Sequence, residues 1–101
     1  MAEYRILFHP AALGEFKALD GGVRKVVAKQ IEKLKKYPQL GELLGNRHGY
    51  DLTGYRKLYA DKKRISIVYT IVEDRVLIAI IAIGKREDLE VYRDADSRAG
   101  N

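Results

Sequence analysis

The sequence predicts an α+β domain: an N-terminal strand, an αα-hairpin, a three-stranded antiparallel meander and a short C-terminal helix. Apolar residues recur at intervals of three and four up to residue 34. After residue 50 the pattern switches to β-branched and aromatic runs, separated by short charged breaks. At 101 residues the chain has the length of one compact domain, so 1–101 is read as a single unit.

Tyr4, Ile6 and Phe8 alternate with Arg5, Leu7 and His9, the period of a strand with one buried face. Pro10 ends that strand and suits a first helical turn, where its missing N–H costs nothing. Ala11, Ala12, Leu13, Phe16 and Leu19 continue at helical spacing, and Asp20-Gly21-Gly22 is read as the close. A second helix follows from Val23, Val26, Val27, Ile31 and Leu34, and Tyr37-Pro38 stops it because a residue before proline is pushed out of helical geometry.

Residues 38–50, with Pro38, Gly41, Gly45 and Gly49, hold no sustained period and read as an irregular connection. Leu52 to Ala60, Ile65 to Val72 and Val76 to Ile83 form the meander, with turns at Asp61-Lys62-Lys63 and Glu73-Asp74-Arg75. The last strand is apolar at every position and is expected to be central and covered on both faces, with Gly84 ending it. Leu89, Tyr92 and Ala95 suit one or two turns of tail helix. The helices are expected on one face of a curved sheet.

Lys and Arg number 19 against 14 Asp and Glu, a net +5 that favours a polyanionic partner. The surplus is local: residues 23–36 sum to +5, residues 53–69 to +4, and the rest to −4. With no cysteine there is no disulfide, thiolate nucleophile or cysteine metal site. The longest apolar run is eight residues, too short to span a bilayer, and residues 1–4 lack a secretion signal, so a cytoplasmic location without membrane contact is expected.

The helix lysines Lys25, Lys29 and Lys33 fit a solvated face as well as an anion-binding one. Along the first meander strand, alternation puts Arg56 on one face and Lys57 on the other with Tyr55 and Tyr59. Cations interleaved with rings can neutralise phosphates and stack bases of single-stranded RNA; lysines also protect an edge hairpin from aggregation. No phosphate loop, serine elbow or metal-spaced histidine pair is present. His9 reads as a capping or buried residue, and His48 sits in a glycine-flanked loop where it could titrate near neutrality. What remains is metal-free chemistry built from Arg, Lys and Tyr. RNA carries its own nucleophile in the 2′-OH, so a protein can cleave it by aligning that hydroxyl with phosphorus and stabilising the developing charge.

At Ala82-Ile83-Gly84-Lys85-Arg86-Glu87-Asp88-Leu89-Glu90-Val91-Tyr92, preceded by an apolar strand and Ile67-Val68-Tyr69, the chain resembles the RelE/ParE toxin superfamily, and its RelE branch most. The resemblance extends over nearly the whole chain and implies a RelE-like fold. It further implies a type II toxin that cuts messenger RNA in the ribosomal A site and inhibits translation. The implied partners are a cognate antitoxin, the ribosome and its mRNA, with operator DNA bound indirectly through the antitoxin. No cofactor and no metal are implied.

The resemblance assigns Arg86 to phosphate stabilisation and Tyr92 to stacking or proton transfer, with Arg56 and Arg64 as further catalytic candidates. Lys57, Lys62, Lys63 and Lys85 are candidate RNA-binding residues. Ser66 departs from the pattern, since the family places an arginine there. Arg64, two residues earlier, keeps the same strand face. Loss of such a charge costs about 2.7–4 kcal/mol, or ~10²- to 10³-fold in rate, by analogy with a removed oxyanion donor. An attenuated or detoxified toxin is therefore one reading. A ParE-type inhibitor of DNA gyrase and an inactive antitoxin-binding module are the others. Read without the resemblance, Arg86 would pair Glu90 and Tyr92 would pack on the core.

Overall fold

The computed structural model describes residues 3–47, 49–85 and 90–99. Strand β1 (Arg5–Phe8) leads into helices α1 (Pro10–Lys17) and α2 (Gly21–Leu34), and a 3₁₀ turn at Pro38–Leu40 follows. Strands β2 (Glu42–Arg47), β3 (Tyr50–Ala60), β4 (Ile65–Val72) and β5 (Leu77–Lys85) precede helix α3 (Glu90–Ala99). The sheet order is β1-β5-β4-β3-β2, antiparallel except that β1 runs parallel to β5.

Local chemistry accounts for the helices. The Nδ1 of His9 accepts the Ala11 N–H at 3.1 Å and so caps α1, while Pro10 opens it. Arg24 donates to the carbonyls of Lys17 (3.0 Å) and Leu19 (3.4 Å), satisfying acceptors that the end of α1 leaves unpaired. Gly21 and Gly22 form the first turn of α2 instead of closing α1 as the sequence predicts.

Two apolar layers lie on opposite faces of the sheet. Ala12, Val27, Ile31 and Leu34 pack on Leu58, Ile67, Tyr69, Ile78 and Ile80. On the other face Val91, Tyr92 and Ala95 of α3 pack on Leu44, Leu52, Val68, Ile81 and Ala82. The expectation of helices on a single face is thus corrected: α1 and α2 share one face and α3 takes the other. A ten-residue helix is marginal alone in water, so burial of Val91 and Tyr92, about 1.5–3 kcal/mol for a large apolar side chain, is what keeps α3 formed.

Two boundaries differ from expectation. The connection at 38–50 contains β2, whose register with β3 shifts between Leu43 and Gly45; that irregularity, with Gly45 at φ +61°, erases the two-residue period. The antiparallel part therefore has four strands and the sheet five. Gly84 lies inside β5, which runs on to Lys85, because Val91 sits directly above it: a Cβ there would be 3.1 Å from the Val91 Cβ. β5 is interior to the sheet, flanked by β1 and β4, and covered on both faces, as its unbroken apolar run predicts. Its register with β4 shifts after Val68, leaving Ile81 as the extra residue, so Ile81 and Ala82 both meet the α3 layer.

Candidate functional site

β3 divides its side chains as alternation requires. Leu58 and Ala60 join the α1/α2 layer, while Tyr55 packs with the α3 layer and Lys57 and Tyr59 follow at two-residue steps. Lys57 is 5 % exposed, a burial that an ammonium tolerates only when paired. Its partners are in place. Glu42 is its cross-strand neighbour on β2, with Oε1 3.0 Å from Nζ, and the Nζ lies 4.5 Å from the centre of the Tyr59 ring. Burial pulls the Lys57 ammonium toward the neutral form, but bonds to the Tyr59 hydroxyl and Glu42 and the potentials of Tyr92 and Tyr59 outweigh it and hold its pKa above the ordinary lysine value.

Tyr92 closes this arrangement from α3 and is 5 % exposed. Ser66 faces Tyr59 across β3 and Gly84 across β5. It is fully buried, and its Oγ has no hydrogen-bond partner among the described residues. Lys57, Tyr59, Ser66 and Tyr92 therefore belong to the α3 face, with Glu42 at its rim.

Arg56 does not join them. It points to the opposite face and donates from Nη1 to the carbonyls of Gly41 (2.7 Å) and Gln39 (3.3 Å). Its neighbour across β4, Tyr69, donates to the Pro38 carbonyl at 2.7 Å and accepts the Gly41 N–H at 2.8 Å. The two side chains fasten the 3₁₀ turn to the sheet, and Arg56 lies on the face opposite Lys57, as alternation along β3 predicts.

Arg64, Lys62, Lys63 and Lys85 form a second group. Together with Leu19 and Val23 they line an open groove of about 870 Å³ between the α1–α2 junction and the β3–β4 turn. In that turn Asp61, Lys62 and Lys63 all adopt left-handed backbone, with φ of 52°, 56° and 69°, and the Arg64 N–H closes it on the Asp61 carbonyl at 3.0 Å. Arg64 thus belongs to the turn and the groove. Arg86 lies outside the described residues, as does His48.

Glu42 went unread in the sequence because it falls in the segment taken as irregular; the signal that finds it is its register opposite a buried lysine. Among the described residues no three His, Asp or Glu side chains converge to hold a metal ion, and no helix is long and apolar enough to cross a membrane.

A comparison with protein-family models finds no match. The chain is similar to a RelE-like toxin protein of Escherichia coli, 31% identical over 98 residues that cover 94% of this chain and 96% of that one. It is 30% identical over the same extent to the mRNA interferase toxin RelE of Escherichia coli K12. Among solved structures, a double mutant of E. coli toxin RelE in the free state superposes with a TM-score of 0.76 at 26% identity, covering 97% of this chain and 98% of that one. The same mutant bound to a peptide of the antitoxin RelB matches with a TM-score of 0.70 at 27% identity, covering 94% and 95%.

Proposed function

The chain belongs to the RelE toxin family, and on that premise we propose that it is the toxin of a type II toxin–antitoxin pair, an endoribonuclease that cuts messenger RNA on the ribosome and so inhibits translation. The observation that carries this reading is the buried Lys57 held between Glu42, Tyr59 and Tyr92, on the sheet face that also carries Ser66.

In the proposed reaction the substrate 2′-OH gives up its proton and attacks the neighbouring phosphorus. The bond to the 5′-oxygen breaks, that oxygen takes a proton, and the ends left are a 2′,3′-cyclic phosphate and a 5′-hydroxyl. Lys57 stays a cation despite its burial, suited to stabilising charge on phosphate oxygens. Arg86 is assigned the same task through its two-pronged guanidinium, and Tyr92 stacking or proton transfer. Lys62, Lys63, Arg64 and Lys85 are assigned to the RNA backbone through the groove they line. This chemistry requires no metal. The antitoxin is proposed to be an acidic segment that folds on this basic surface, as a +5 charge favours.

Ser66 supports the further reading that the toxin is attenuated, because a buried hydroxyl stands where the family carries a cation. The test is cell-free translation with this chain and its Ser66→Arg variant, mapping mRNA ends by primer extension with and without ribosomes. Ribosome-dependent cuts by both establish the nuclease, and cuts by the variant alone establish attenuation. Cuts by neither leave an antitoxin-binding module or a gyrase inhibitor, which antitoxin pull-down and supercoiling assays separate.

A further inference from the structure

Among the groups on the α3 face, Glu42 is unexpected. A carboxylate at the rim of an RNA site repels phosphate. Yet the Glu42 side chain is 58% exposed while the lysine it meets is 5% exposed, so the acid stands between solvent and the ammonium. The contact is built into the sheet: Glu42 and Lys57 are directly paired residues of β2 and β3, adjacent to the register shift that follows Leu43. Adjacent strands place directly opposed side chains about 5 Å apart at Cβ, so the pair forms without reorganisation.

We propose that Glu42 is a positioning residue for Lys57: it is the counter-charge that offsets the burial of the lysine and aims it along the α3 face. The inference rests on the nuclease reading only for what the charge is used for. The Tyr59 hydroxyl shares the work of holding the ammonium, but the other groups facing Lys57 bring no carboxylate. Tyr55 and Tyr59 flank it on β3, Val68 opposes it on β4, and Tyr92 approaches from α3. The tyrosines offer hydroxyls rather than carboxylates, and Val68 is apolar. Glu42 is then the one formal negative charge among the described neighbours of that ammonium. Removing it leaves a cation whose burial favours the neutral amine.

The experiment labels the lysine side chains with ¹³C at Cε and follows Lys57 through a pH titration by NMR in the full-length protein, in Glu42→Gln and in Glu42→Asp. Glu42→Gln keeps the shape and removes the charge, and it is expected to lower the Lys57 midpoint by about 1–3 units, the usual effect of an opposite charge at this range. Glu42→Asp keeps the charge on a side chain one methylene shorter and is expected to fall between. Cleavage of mRNA in cell-free translation is measured on the same proteins between pH 7 and 9, and the alkaline limb, above that window in the wild type, is expected to move down into it in Glu42→Gln. An unmoved midpoint in Glu42→Gln overturns the proposal, and so does a moved midpoint with an unmoved limb. If the wild-type chain cuts no RNA, the nuclease reading fails while the titration still decides whether Glu42 sets the charge of Lys57.

Discussion

Arg98 grips Glu15 with two parallel N–H···O bonds, each 2.9 Å, and donates a third at 2.8 Å to the Ile81 carbonyl. Glu15 in turn accepts the Ile83 N–H at 3.1 Å, so one ion pair joins α1, β5 and α3 around the edge of the sheet. It occupies the stretch where the extra residue Ile81 frees β5 backbone groups from the ladder. Arg98→Ala should cost about 1.5–3 kcal/mol, the range for hydrogen bonds to charged groups, read from urea unfolding. Hydrogen exchange should show α3 opening first. Lysine in place of Arg98 should recover little, since it cannot make the two-pronged contact.

Gly41 is required by close approach. A Cβ there would stand 2.7 Å from the Lys57 carbonyl oxygen and 2.8 Å from the Tyr69 ring and hydroxyl. Gly41→Ala should destabilise by about 1–3 kcal/mol through overpacking, measured as a lower thermal midpoint.

Tyr69→Phe should cost about as much by a different route, leaving the Pro38 carbonyl and Gly41 N–H without their partner. Burial also pushes the Tyr69 phenol above its ordinary value of 10, so the folded state resists ionisation that the unfolded chain accepts. Stability from this group is full below the unfolded pKa and is lost as pH rises through the folded one. The raised pKa of Lys57 acts in the same direction and window. Urea unfolding from pH 8 to 11 should show stability falling at the alkaline end, and less steeply in Tyr69→Phe.

Ser66 separates activity from stability. Ser66→Ala removes a buried hydroxyl that lacks a partner among the described residues, so stability should hold or rise by up to ~1 kcal/mol with cleavage unchanged. Ser66→Arg should raise cleavage by ~10²- to 10³-fold. Because Ser66 is fully buried, a guanidinium placed there should lower the unfolding midpoint, and the two effects can be read on one preparation.

Lys62→Glu with Lys63→Glu should weaken association with ribosomes, flatten its salt dependence and leave cutting at saturating ribosome concentration nearly intact. Both residues line the groove behind the strained turn and lie off the Lys57 face.

The segments with clean periods were legible: α2 from Val27, Ile31 and Leu34, and β4 from Ile65 to Val72, where the expected and observed bounds coincide. β2 was hidden because a register shift beside Gly45 breaks the alternation that announces a strand. Gly84 read as a stop because a glycine's local preference says nothing of a helix packing above it. The division of the site depends on registers between strands. Tyr59 beside Lys57 follows from alternation alone, but Glu42 beside Lys57, and Arg56 turned onto the Gly41 carbonyl, follow from which residue lies across the ladder.

The parallel pairing of β1 with β5 fixes an order of events. Among the described strands β1 comes first in the chain and its sole partner in the sheet comes last, with Arg5 against Leu77 and Phe8 against Ile80. While a ribosome is making this chain, β2, β3 and β4 can pair in sequence, but β1 and the helices fastened to it wait for a partner not yet translated. Contacts so distant along the chain close late and slowly, because the loop entropy falls due before they form. The face that carries Lys57 and Tyr92 also needs β5 as the floor for α3. The α3 face is thereby the last part of the sheet to acquire its floor, and Lys57 stays uncovered until β5 and α3 are in place.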